Sequence, residues 1–140
     1  MVFIRKLKKS DFLEYITLIN EFRPIELEVT KEKFEEIYDN IFKNSIIYVM
    51  ILDDKIIGSA KLIIEQKFIH KLAKYGHIED VIIKNEHRRK KYGTKIVNYI
   101  LEQCKKENFF KITLTCKEEL IPFYKKNNFE TYQIHMSQLL

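Results

Sequence analysis

The chain has 140 residues, 46% of them apolar and 13% aromatic, with 25 basic against 20 acidic side chains and a formal net charge of +5. That balance can bury one continuous core and excludes a disordered segment or an acidic tail, while three Gly and two Pro exclude a collagen-like or linker-rich chain. No apolar run reaches the roughly 18 residues of a membrane span and MVFIRKLKKSDF holds no secretory apolar core, so one soluble, unprocessed domain over residues 1–140 is expected, with no membrane partner.

Residues 2–7 alternate and predict a first strand. Ser10 offers an N-cap to a helix carrying Phe12, Tyr15, Ile16, Ile19 and Phe22 on one face, ended by Arg23-Pro24. Thr30 offers a second cap, followed by Phe34, Ile37, Tyr38, Ile41 and Phe42 at helical spacing. Ser45–Leu52 and Lys55–Gln66 are β-branched and apolar, and the turn between them predicts a hairpin. Residues 67–76 read as a polar loop ending at Gly76. Residues 77–84 read as a strand with Glu79 and Asp80 in its middle.

A basic connection, residues 85–92, leads into the longest helix, which begins near Gly93 and carries Ile96, Val97, Ile100, Leu101 and Cys104. Residues 111–116 predict a strand, 120–126 a short helix begun near Pro122, and 129–138 a closing strand. The expected fold is α/β (α+β), with a mixed sheet of about six strands flanked by about four helices.

The sharpest chemical feature is the junction HRRKKYG between a strand and a helix. A helix N-terminus leaves backbone N–H groups unpaired and partly positive, so a loop running into it can wrap a pyrophosphate. Arg88, Arg89, Lys90 and Lys91 add charge there, and Gly93 lets backbone approach without a side chain. A solvated basic turn reads equally well from spacing alone. A run this short, without a basic recognition helix, argues against a nucleic-acid partner.

Cys104 and Cys116 lack metal or disulfide spacing and fit a reducing, cytoplasmic setting; as apolar-position thiols they read as packing rather than nucleophiles. His70, His77, His87 and His135 do not cluster, so no metal is expected.

RRKKYG resembles the pyrophosphate motif of the GNAT superfamily of N-acetyltransferases, Gln or Arg, two residues, Gly, one residue, Gly or Ala. It matches at Arg88 and Gly93, with Lys91 in place of the middle Gly. LIIEQKFIHKLAKYGHIEDV and FFKITLTCKEELIPFYKKNNF extend the resemblance to the glucosamine-6-phosphate N-acetyltransferase branch, through an E-x-K-F-I-H loop, a G-H-I-E-D strand, a K-I-T-L-x-C strand and an F-Y-K-K helix in family order. Residues 56–129 carry the likeness well and residues 1–55 in outline.

The resemblance implies the GNAT acyl-CoA N-acyltransferase fold, acetyl-CoA as cosubstrate and glucosamine 6-phosphate as acceptor, giving N-acetylglucosamine 6-phosphate for UDP-N-acetylglucosamine synthesis. It implies a homodimer. Carried over by position, Glu79 and Asp80 line the acceptor site as catalytic acids, and Tyr124 faces the coenzyme A sulfur. The backbone of Val81, Ile82 and Ile83 pairs with the pantetheine arm, and Arg88, Arg89, Lys90, Lys91, Tyr92, Gly93 and Thr94 hold the pyrophosphate. Lys67 and His70 contribute to the sugar-phosphate site. Leu120 stands where many members have Asn, Thr115 where the branch often has an acid, and no Arg follows Arg89.

The chemistry implied is direct transfer through a ternary complex. The acceptor ammonium gives a proton to Glu79 or Asp80, N–H groups near Val81 hold the carbonyl oxygen, and Tyr124 protonates the thiolate. On residue type alone, Asp80 could instead pair with Lys111 and Tyr124 could be a core aromatic. A GNAT enzyme for another amino sugar, small amine or protein amine remains an alternative, as does a non-catalytic basic binding domain.

Overall fold

The computed structural model describes residues 1–140. Its sheet has five strands in the order β1-β2-β3-β4-β5: β1 (Val2–Lys6), β2 (Ser45–Leu52), β3 (Lys55–Gln66), β4 (Lys74–Ile83) and β5 (Lys111–Leu114). All neighbours are antiparallel except β4 and β5. The helices are α1 (Phe12–Phe22), α2 (Lys31–Ile41), α3 (Tyr92–Lys106) and α4 (Ile121–Lys125). This is the mixed α/β arrangement expected, with one strand fewer than about six. No helix is long and apolar enough to cross a membrane.

The β2–β3 hairpin closes through Asp53 and Asp54, both in left-handed backbone with φ 48° and 60°, the twist a two-residue hairpin turn requires. The central strands are buried on both faces. On one face Tyr48, Met50, Ile57, Ala60, Leu62 and Ile78 meet Ile96, Val97, Ile100 and Cys104 of α3. On the other, Ile47, Val49, Ile51, Ile56 and Ile82 meet Leu18 of α1 and Phe34 of α2. Each such side chain contributes about 1.5–3 kcal/mol by leaving water.

Several sequence expectations shift. Asp11, not Ser10, is the N-cap of α1: its carboxylate accepts two bonds from Arg5, 2.7 and 2.9 Å, and one from the Lys8 N–H, 2.8 Å. Thr30 caps α2 as read, accepting from the Lys33 N–H at 3.1 Å. Ile37 is 44% exposed and leaves the α2 seam to Phe34, Tyr38, Ile41 and Phe42. β4 begins at Lys74, so Gly76 lies inside it; a Cβ there would stand 2.7 Å from Ile112 Cδ1 and 2.8 Å from Leu62 Cδ1. Residues 129–138, expected as a closing strand, pair with nothing in this chain and are mostly exposed.

Candidate functional site

Parallel pairing of β4 with β5 covers only Tyr75–Ile78 against Lys111–Leu114. Beyond Ile78, β4 runs on through Glu79, Asp80, Val81, Ile82 and Ile83 with β3 as its only strand neighbour. The two parallel strands therefore part, and the edge of β4 that faced β5 becomes free over these five residues. The sequence places Val81, Ile82 and Ile83 on this edge. Val81 and Ile83 pack toward α3, while Ile82 packs toward α1.

Asp80 marks a second irregularity. The β3–β4 register slips between Ser59 and Lys61, and Asp80 takes φ 53°. A bulge in one strand bends it and re-aims neighbouring side chains. Asp80 pairs with Lys61 of β3, Nζ to Oδ2 3.7 Å, rather than with Lys111. Glu79 Oε1 lies 2.9 Å from His77 Nε2, and His77 Nδ1 lies 2.8 Å from Thr113 Oγ1. Both acids are substantially solvent-accessible, so they are free to meet a ligand.

From β4 the chain crosses the basic junction into α3. Arg88 donates from Nε to the Ile83 carbonyl, 3.2 Å, tying the loop to the end of the strand. Arg89 and Lys91 adopt φ 64° and 63°, and Lys91 is the N-cap of α3 without a side-chain cap bond. The Lys95 N–H, bonded to the Lys91 carbonyl at 3.0 Å, is the first helical donor with a backbone partner. The N–H groups of Tyr92, Gly93 and Thr94 thus form the open first turn. Gly93 has no positive φ; its missing Cβ makes room for Phe123, whose Cζ would lie 3.2 Å away. The left-handed backbone of this junction falls on Arg89 and Lys91.

Residues 67–73 are more ordered than a polar loop. Ile69–Leu72 forms one turn in which His70, Lys71 and Leu72 all have positive φ, 52°, 60° and 62°. Each left-handed residue costs about 1–2 kcal/mol, and Gln66 holds the turn by donating to the carbonyls of Leu72, 2.9 Å, and Lys67, 3.0 Å. His70 stacks on Phe110 with centroids 4.1 Å apart. Lys67 bonds Glu65 at 2.6 Å and lies over the Tyr75 ring. Lys111, which the sequence reading did not place in a site, lies over Tyr75 and Tyr132 at 5.1 and 4.6 Å. Its parallel register with Tyr75 sets this position, and nothing in the sequence announces that pairing.

Tyr124 sits on α4, edge-on to Phe123 and Phe129 at 4.9 and 6.1 Å. Burial, with a smaller contribution from Cys116, raises its hydroxyl above the usual phenol value. No hydrogen bond or ion pair joins it to Glu79 or Asp80. Asn127, missed in sequence, is buried beside it and donates to Asn98 Oδ1 at 2.6 Å, joining the end of α4 to α3. Burial pushes the Cys104 thiol up to about 11, against a nucleophilic role.

A family model described as "Acetyltransferase (GNAT) family" matches residues 12–129. The chain is 36% identical over 117 residues to glucosamine 6-phosphate N-acetyltransferase 1 of Dictyostelium discoideum, covering 80% of this chain and 74% of that one. It is 31% identical over 141 residues to glucosamine 6-phosphate N-acetyltransferase of Arabidopsis thaliana, covering 96% and 94%. A crystal structure of glucosamine-6-phosphate N-acetyltransferase from Arabidopsis thaliana superposes with a TM-score of 0.90 at 31% identity, covering 99% of this chain and 98% of that one.

Proposed function

Because the chain belongs to the acetyltransferase (GNAT) family, we propose that it transfers the acetyl group of acetyl-CoA to the amine of glucosamine 6-phosphate, giving N-acetylglucosamine 6-phosphate, a step toward UDP-N-acetylglucosamine. The observation that carries the reading is the parting of β4 from β5, which frees the edge of residues 79–83 directly before the basic first turn of α3. The names of the relatives supply the acceptor.

Acetyl-CoA fits what the chain presents. A free strand edge suits the amide-bearing pantetheine arm, so Val81, Ile82 and Ile83 would hold it by backbone bonds. The open N–H groups of Tyr92, Gly93 and Thr94, with the charges of Arg88, Arg89, Lys90 and Lys91, suit a pyrophosphate. The donor supplies a thioester that is already activated, and the residues add orientation and proton handling. Glu79 or Asp80 takes the ammonium proton, the N–H near Val81 holds the carbonyl oxygen, and Tyr124 gives its proton to the departing sulfur. An ordinary phenol, at about 10, is already protonated at neutral pH, as an acid must be, and burial raises this one further. Lys67, His70 and Lys111 lie close together through Tyr75 and Phe110, and serve the sugar phosphate.

The reading extends to a homodimer. Tyr132, Ile134 and Met136 alternate and are 70%, 91% and 88% exposed, and the outer edge of β5 has no strand on it. An extended apolar tail and an unpaired edge favour strand addition by a second copy. The free thiols of Cys104 and Cys116 favour the cytoplasm. Saturation kinetics with glucosamine 6-phosphate and sedimentation of the native protein test the two parts separately; transfer to a different amine alone, or a monomer at working concentration, would refute the respective part.

A further inference from the structure

His77 has two partners and no assigned role. Two residues apart on β4, His77 and Glu79 share a face, and Thr113 is the register partner of His77 on β5. The ring bridges them, Nε2 to Glu79 Oε1 at 2.9 Å and Nδ1 to Thr113 Oγ1 at 2.8 Å. An ionised carboxylate only accepts, so its bond fixes a hydrogen on Nε2, and Nδ1 of the neutral ring accepts from the Thr113 hydroxyl. Because a hydroxyl also accepts, a protonated ring keeps both bonds without moving.

We propose that His77, held by Thr113, is a positioning residue that ties down Oε1 of Glu79 and leaves Oε2 as the oxygen that receives the ammonium proton of the acceptor. The inference rests on the acetyl-transfer reading above. In the step an N–H bond of the ammonium breaks, an O–H bond forms at Oε2, and the nitrogen keeps the electron pair with which it attacks. The proton passes to solvent after product leaves.

Protonation of His77 puts a positive charge against Glu79 and disfavours proton uptake there. Activity therefore falls on the acid side with the charge of His77. The other charged and titratable groups around this position are Asp80 and Tyr75 on β4, Lys61 and Glu65 on β3, Lys111 on β5 and, past the end of α2, Lys43, which lines a hollow with Lys61 and with Ile63, the register partner of His77. None of them bonds the ring.

The test is kcat and KM against pH for the native protein, His77→Gln and Thr113→Val, with acetyl-CoA affinity as the check of folding. His77→Gln keeps a donor but does not titrate. It should lower kcat about tenfold, a part of the 10²–10⁴-fold that a positioned base contributes, leave the KM for acetyl-CoA unchanged and move the acid limb to lower pH. Thr113→Val, close in shape, should lower kcat less and keep the limb. Native activity with both variants inside twofold and on one pH profile would overturn the inference alone. A native protein that transfers acetyl to no amine would overturn the acetyl-transfer reading and this inference with it.

Discussion

Lys91 and Gly93 divide between them what one glycine would do. Lys91 takes the left-handed backbone at the start of α3, φ 63°, while Gly93 stays in ordinary helical backbone and yields its Cβ space to the ring of Phe123. The junction is therefore shaped by one strained residue and one close contact two positions apart.

Lys91→Gly should stabilise the protein by about 1 kcal/mol, because glycine adopts that φ without the left-handed penalty. The same substitution removes one positive charge from the first turn and should weaken acetyl-CoA binding severalfold. Urea unfolding and titration calorimetry separate the two effects. Gly93→Ala sets a Cβ 3.2 Å from Phe123 Cζ, so the half-buried ring must shift by a few tenths of an ångström, and the same urea series reads the cost of that shift.

Tyr124→Phe should leave acetyl-CoA affinity near normal and lower kcat by about 10²-fold, the scale of a lost general acid. Burial, with a smaller contribution from Cys116, raises its hydroxyl above the ordinary phenol value, so any loss of activity from its ionisation should come at higher pH than for a solvent-exposed tyrosine. A profile of kcat from pH 7 to 10 checks this.

The Arg5–Asp11 pair predicts acid sensitivity. Burial alone raises the Asp11 carboxyl, but the bonds from Arg5 and the Lys8 N–H outweigh it and hold the group below its ordinary value. A depressed carboxylate stabilises the fold above its unfolded value, about 3.9, and that stability is lost as pH falls through the folded value. Asp11→Asn should cost ~1 kcal/mol at pH 7 and nothing below the folded value. Chemical denaturation at pH 7 and at successively lower pH follows the difference as it closes.

Asn127→Ala should cost about 1 kcal/mol, since it removes the bond to Asn98 Oδ1 and opens a gap where α4 meets α3. Thermal unfolding of the single and double variants with Asn98→Ala gives the coupling, which should be most of the single effect.

Elements with a local cause were legible in the residues. Thr30 caps α2 by its own hydroxyl, the paired aspartates turn the hairpin, and the spacing of Ile96, Val97, Ile100 and Cys104 lines one face of α3. Where the cause is distant, the reading slipped by a few residues. Asp11 replaced Ser10 because a short turn over Lys9–Asp11, whose end Arg5 of β1 holds, precedes the helix and takes Ser10 inside it. β4 began before Gly76 because the gap at that glycine is filled by Ile112 and Leu62 from neighbouring strands.

The site divided in the same way. The basic run and the acids on β4 are contiguous in sequence and could be read there. The partners that shape them could not: Lys61 reaches Asp80 through a register slip, and Thr113 reaches His77 across a parallel pairing 36 residues away in sequence. The positive φ of Lys91 and of His70, Lys71 and Leu72 falls on residue types that seldom adopt it, so no propensity announces it. Residues 129–138 have strand-like alternation but join no strand of this chain, which is why their sequence pattern alone suggested a closing strand.

The most direct measurement follows free thiol release from acetyl-CoA by the purified protein with glucosamine 6-phosphate, against glucosamine, glucose 6-phosphate and no acceptor. Release that saturates with the phosphorylated amino sugar, and stays at background with the phosphate that lacks the amine, is the predicted result. Background release with glucosamine 6-phosphate, from protein that binds acetyl-CoA, would contradict it.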